Sequence, residues 1–251
     1  MRILVSNDDG IAAAGIPPLV EALMSLGEVW VVAPEQEQSA KSHSLTMWEP
    51  LRVRSLAPQR FAVGGTPADC VYLALHELLD FKPDLLVSGI NRGSNLGNDV
   101  LYSGTVAAAM EGCLHGVASL AVSLHILPGD QVLHWETAAH LAQRVSIQIV
   151  KNGLPRRSLL NLNVPNLPMN QIAGIRPCRL GERRYDDLVD KRLDPRGKPY
   201  YWIGGGHNTF CQEPNTDGPL MAQSLASLTP LSPDLTHDAQ LRALSSWSLQ
   251  D

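Results

Sequence analysis

Two adjacent carboxylates, Asp8 and Asp9, carry the most evident chemistry in this chain. They sit in Asn7-Asp8-Asp9-Gly10, directly after the apolar run Ile3-Leu4-Val5. A short continuous apolar run of this kind predicts a buried parallel strand. Ligands of open α/β sheets bind at the carboxyl ends of strands, which would set Asp8 and Asp9 on the lip of a cleft. Paired carboxylates there repel each other and lose hydration, so they call for protons or a cation. A hard divalent ion meets both needs, and Mg²⁺ is held by one or two carboxylates together with waters and phosphate oxygens. The same four residues are also ordinary turn formers, and a solvated turn is the competing reading.

A second stretch weighs against that turn. Ser88-Gly89-Ile90-Asn91-Arg92-Gly93-Ser94-Asn95-Leu96-Gly97-Asn98-Asp99 follows the apolar Leu85-Leu86-Val87 and leads to Tyr102-Ser103-Gly104-Thr105. Its asparagines supply oxygen ligands and amide donors, and its glycines let backbone approach a ligand. A loop of this length without structure of its own is uncommon unless it is functional. Ser103-Gly104-Thr105 opens an alanine-rich helix, whose unpaired N–H groups make a seat for a phosphate. A third polar segment, Glu35 to Ser44, brings Ser39, Lys41 and His43 to the same sheet edge. Ser39 could be a metal or phosphate contact and Lys41 a counter-charge, with His43 in a minor role.

The elements that must position these groups read as α/β. Pro17 and Pro18 start a helix that ends near Gly27, and Glu28 to Ala33 forms the next strand. Strand, helix and strand make a βαβ unit with a parallel pairing, and no G-x-G-x-x-G follows the first strand. Leu51–Arg54 and Arg60–Val63 read as short strands. Thr66-Pro67-Ala68-Asp69 begins a helix running through Leu78. Ser119–Ser123 and Leu159–Val164 are further strands, and Trp135–Val150 is a helix with one apolar face. His134 and His140 fall on its surface. From Ile172 to Ile203 the composition shifts to Arg, Asp, Tyr and Pro, an excursion from the core. Arg179, Arg183, Arg184 and Arg192 within it could reach a phosphate, against the alternative of surface or subunit contacts.

Taken in order, these blocks resemble the SurE family of survival-protein nucleotidases. The resemblance rests on Asn7-Asp8-Asp9-Gly10, Ser39 to Thr46, Gly65 to Val71, Ser88 to Gly93 and Tyr102 to Val106. It continues in Leu160 to Pro168, Asp194 to Gly197 with Tyr200 to Gly204, and Thr216-Asp217 with Ser227 to Leu231. It implies a Rossmann-like three-layer αβα sandwich over residues 1–165. Residues 166–251 would form an oligomerisation arm, a late strand and a terminal helix near Thr236–Trp247, packed on the core or a neighbouring subunit of a homodimer or homotetramer. The implied activity is metal-dependent hydrolysis of nucleoside 5′- and 3′-monophosphates, with short polyphosphate a further substrate. The implied ligands of one Mg²⁺ or Mn²⁺ are Asp8, Asp9, Ser39 and Asn91. Asn95, Ser103, Gly104 and Thr105 would contact phosphate, and Asp8 could be ligand, base or nucleophile. Two departures lie downstream: Asn215-Thr216-Asp217 where Gly-Thr-Asp is usual, and Gln223 to Ser227 where a Gly-Tyr pair precedes the serine.

Composition bounds the alternatives. The chain has 251 residues and a formal net charge of -5, with no basic run, which disfavours duplex nucleic acid as a partner. The four cysteines form no C-x-x-C pair, as expected of reduced thiols in a cytoplasmic protein. No run reaches the ~18 apolar residues of a membrane span. A haloacid-dehalogenase-type phosphatase would need Asp-x-Asp, and a receiver module would need a phosphoacceptor aspartate where Gly64-Gly65 stands. An idle nucleotide sensor using the same site is the remaining rival.

Overall fold

A computed structural model describes residues 1–185, 189–203 and 208–247. Its centre is a nine-stranded sheet in the order β3-β4-β2-β1-β5-β6-β7-β13-β8. The strands are β1 (Arg2–Ser6), β2 (Glu28–Pro34), β3 (Val53–Ala57), β4 (Arg60–Val63), β5 (Leu85–Arg92), β6 (Ala118–His125), β7 (Leu159–Pro165), β8 (Gly174–Pro177) and β13 (Leu225–Leu231). From β4 to β7 all neighbours are parallel. β3 and β13 join antiparallel to β4 and β7, at opposite sides of that parallel set.

Successive residues of β1 face opposite sides, so each side of the sheet gathers its own core. Ile3 and Val5 pack with Leu19 and Leu23 of α1 (Ile16–Met24) and with Leu141, Val145 and Ile149 of α4 (Trp135–Asn152). Leu4 packs instead with Cys70 and Val71 of α2 (Pro67–Leu73) and with Val106, Ala109 and Cys113 of α3 (Gly104–Leu114). The result is the expected three-layer α/β fold. Strand order reverses at β1, because β2 lies on one side of it and β5 on the other. A crevice therefore opens at the carboxyl ends of β1 and β5, where the polar motifs fall.

Several expected elements have different bounds. The helix after Thr66 is α-helical only to Leu73, and Ala74–Leu78 continue it as a π-turn. Thr66 and Asp69 close a reciprocal capping box at its start. The stretch expected as a loop from Ser88 is strand as far as Arg92, since pairing with β6 resumes at Asn91 with the register shifted by one residue. Gly97–Leu101 then forms a 3₁₀ turn. Beyond Pro165, β8 and β13 enter the main sheet. Two separate ribbons pair β9 (Arg183–Tyr185) with β12 (Asn208–Phe210), and β10 (Val189–Leu193) with β11 (Pro199–Ile203). After β12 comes the short helix α5 (Asp217–Met221). The terminal helix α6 is shorter than expected, Asp238–Leu244, with His237 Nδ1 accepting from the Gln240 amide. Gly204 of the arm motif lies outside the described residues, as does the Arg184 side chain.

Both departures from the family pattern contain a residue in the left-handed region, Asn215 at φ +63° and Ser224 at φ +56°. Glycine takes that conformation without strain, and asparagine is among the side chains that tolerate it best.

Candidate active site

The end of β1 is fastened to the elements on either side of it. Asn7 Nδ2 donates to the Gly10 carbonyl and closes the turn that presents the two aspartates. Asp8 is buried, and its Oδ1 accepts the hydroxyl of Thr105 from the first turn of α3. Asp9 is half-buried, and its Oδ2 accepts the Arg92 amide at 2.8 Å from the end of β5. Burial lifts the Asp8 carboxyl to about 6; the Thr105 hydroxyl opposes the rise and the neighbouring Asp9 charge adds to it. Asp9 is raised for the same reason, the Arg92 amide opposing and Glu37 reinforcing.

A cavity of about 270 Å³ opens beside this turn, and Asp8, Ser39, Asn91, Asn95, Ser103 and Tyr102 line it. Five of the eight candidate residues thus share one wall. Asp9, Gly104 and Thr105 stand around it. Gly104 has to be glycine at this distance, because a Cβ would lie 2.7 Å from Asp8 Cβ and 3.0 Å from its Oδ2. Thr105 is fully buried, and both its hydroxyl and its amide turn to the Asp8 carboxylate. Ser103 Oγ caps α3 by accepting from the Val106 amide at 3.0 Å. That leaves the Gly104 amide as a donor of the first turn.

Asn91 Nδ2 donates to the Gly93 carbonyl at 2.8 Å, which leaves Oδ1 as the acceptor end of its amide. Ser39 is exposed, and its hydroxyl donates to Glu37 Oε1 at 2.8 Å. Carboxylate, amide and hydroxyl oxygens together make the donor set of a hard divalent cation, and a cation would offset the charge that burial penalises at Asp8 and Asp9.

Asn95 is held by residues that sequence reasoning missed. Its amide N–H donates to Asn163 Oδ1, and its carbonyl accepts from Asn161 Nδ2 and Asn163 Nδ2. Its side chain donates to Ser123 Oγ at 2.7 Å. Asn161 and Asn163 are fully buried on β7, and the signal was present: two amides at alternate positions of an apolar strand share one face. Of the other residues weighed, Arg183 reaches the cavity wall through Asp99, and Lys41, Arg192 and His43 do not line it. Lys41 is exposed, Arg192 pairs with Asp190, and His43 turns to Glu111.

Residues 3–187 match the family model described as "Survival protein SurE". The chain belongs to the SurE family. It is 49% identical over 98% of its length, and 96% of the other protein, to "5'-nucleotidase SurE" of Moorella thermoacetica. It is 48% identical to the protein of the same name from Pelobacter propionicus, over 98% of this chain and 99% of that one. A solved SurE protein from Aquifex aeolicus superposes with a TM-score of 0.86 at 41% identity, covering 98% of both chains. Membership accounts for the order of the motifs, and the cavity gathers five of the eight candidate site residues. Among the described residues, no helix is long and apolar enough to cross a membrane.

Proposed function

We infer that this SurE-family chain is a 5′-nucleotidase, a phosphomonoesterase that hydrolyses nucleoside 5′- and 3′-monophosphates and also short polyphosphate. The observation that carries the reading is the single cavity in which Asp8, Ser39, Asn91, Asn95 and Ser103 meet beside the start of α3. The name of relatives nearly half identical over their full length supports the reaction class.

Asp8, Asp9, Ser39 and Asn91 would hold one Mg²⁺ or Mn²⁺. Such an ion, when bound, polarises a phosphoryl oxygen and lowers the pKa of a water. The chain's own residues do the rest by position and charge. Thr105 fixes Asp8 Oδ1, which leaves Oδ2 as the oxygen available to a ligand or a proton. The Gly104 amide and Asn95 would face charge on the phosphoryl oxygens, which is the dominant stabilisation in phosphoryl transfer. Asn95 is pre-set for this by its ties to Ser123, Asn161 and Asn163, so it needs little reorganisation.

Assembly as a homodimer or homotetramer belongs to the same reading. The β10–β11 ribbon supports it, since Tyr201 and Trp202 stand 57% and 61% exposed and Ile203 stands 92% exposed.

The test is phosphate release from a panel of nucleoside 5′- and 3′-monophosphates and short polyphosphate, with metal removed and then Mg²⁺ or Mn²⁺ restored. Metal-dependent release that differs among monophosphates is expected. A folded protein that binds nucleotide and releases nothing under either metal would be a sensor instead.

A further inference from the structure

We propose that His43 and Glu111 are positioning residues that hold the segment carrying Ser39 over the carboxylate site, a role that rests on the reading of Ser39 as part of the metal-holding set. Residues 35–46 leave β2, cross the mouth of the cavity and contain no helix or strand. This strap is tied along its length. The Gln38 amide donates to the Asp8 carbonyl at 2.7 Å, and Ser42 donates its amide and hydroxyl to the carbonyls of Tyr102 and Leu101. Thr66 Oγ1 reaches the Ser44 carbonyl, and Thr46 donates twice to Asp69.

The His43 tie differs in depth. His43 Nε2 lies 2.6 Å from Glu111 Oε2, and His115 Nε2 lies 3.0 Å from Glu111 Oε1. Glu111 is a buried carboxylate on α3, the helix whose first turn fixes Asp8. An ionised carboxylate only accepts, so both imidazoles present Nε2–H to it. Leaving one oxygen without a donor would strand a buried charge, which couples the strap to the body of α3. His115 is steadied by the rings of His76 and Tyr72 at 4.7 and 5.7 Å, whereas His43 belongs to the strap.

The strap is also under strain between its ties. Ala40 and Ser42 take φ of +59° and +55° without being glycine. Such backbone persists only where its surroundings over-determine it. Ser39 is the residue just ahead of that strained pair. Without the His43 tie, the strained turn keeps its Gln38 and Ser42 bonds but loses its anchor on the body of α3, so Ser39 is held less firmly against Asp8 and Asn91.

The experiment measures Mn²⁺ binding to the full chain by the loss of the free-ion electron paramagnetic resonance signal, alongside phosphate release at varied Mn²⁺. His43→Ala is expected to weaken Mn²⁺ binding by about tenfold, with kcat at saturating metal within about threefold of wild type. His43→Gln returns an N–H donor toward Glu111 and is expected to recover most of the loss. His115→Ala touches the same carboxylate but not the strap, and is expected to bind Mn²⁺ as wild type does. Unchanged affinity in His43→Ala, or an equal loss in His115→Ala, would overturn the proposal. A wild type that binds Mn²⁺ without releasing phosphate would remove the nucleotidase reading and leave the strap assignment standing.

Discussion

Thr105 donates its hydroxyl to Asp8 Oδ1, so the buried carboxylate at the end of β1 is held by the first turn of α3. Thr105→Val keeps the shape and removes the donor. It is expected to cost about 1 kcal/mol of stability and to lower kcat/KM by at least about tenfold. Urea denaturation and steady-state kinetics check both, and unchanged values in each would show the contact to be incidental.

Asp8 gives a pH prediction whose sign follows from its raised carboxyl. The folded chain holds the proton up to about 6, above the ordinary value of 3.8. Ionisation therefore opposes folding: the penalty grows as pH rises through that window and is complete above it. In metal-free protein, Asp8→Asn is expected to stabilise by about 3 kcal/mol above pH 6, fading to nothing below about pH 4. Added Mn²⁺ should reverse the order, because only the wild type gains from binding. Phosphate release should fall by about a thousandfold or more in the variant, with its circular dichroism unchanged. An active Asp8→Asn enzyme would sink the assignment.

The parallel core and the site differed in how far the sequence disclosed them. Ile3-Leu4-Val5, Pro17-Pro18 and Thr66-Pro67 are local signals, and each marks the element that the structure holds. The convergence of Asp8, Asn91 and Ser103 was also legible, because strand ends in a parallel sheet share an edge. What escaped was long-range. Asn163 meets Asn95 across 68 residues, and Asp217 meets Gly97 across 120, so no local pattern announces either pair. The glycines at 89 and 93 suggest loop for Asn91, yet pairing with β6 keeps it in the strand. The bounds of the terminal helix differ for another reason: α6 buries no residue, so packing does not fix its ends.

Asp217 illustrates what such a contact is worth. Fully buried, its carboxylate accepts the amides of Gly97, Gly181 and Gly218 at 2.8–2.9 Å. It pins the 3₁₀ turn after Asn95 to the late part of the chain. Asp217→Asn turns one acceptor into a donor facing an N–H. It is expected to destabilise by about 3 kcal/mol, with Gly97 and Gly181 losing amide exchange protection before the core strands do. Retained protection at both glycines would show that other contacts hold the turn.

Gly104→Ala tests the closeness of α3 to Asp8. Alanine is the better helix former, by about 1 kcal/mol in a helix interior, so propensity alone favours the change. The Asp8 side chain stands in the way, at 2.7 Å from the added carbon. Overpacking of this kind costs about 1–3 kcal/mol, so a net loss of stability is expected, with kcat reduced more than about tenfold as Asp8 is displaced. A variant as stable and active as wild type would mean that the turn can retreat from the carboxylate.

The β10–β11 ribbon offers the last test, of assembly. Its paired strands place Trp202 opposite Asp190 and Ile203 opposite Val189, with all of these residues exposed. An isolated two-stranded ribbon is marginal in water, and large apolar side chains on it gain most by being covered. Trp202→Asp combined with Ile203→Lys removes that gain without touching the main sheet. Sedimentation velocity at micromolar concentration is expected to show a dimer or tetramer for the wild type and a shift toward monomer for the double variant, with the thermal transition of the core held within a few degrees. A wild type that already sediments as monomer, or a double variant that assembles unchanged, would assign the ribbon to some other surface function.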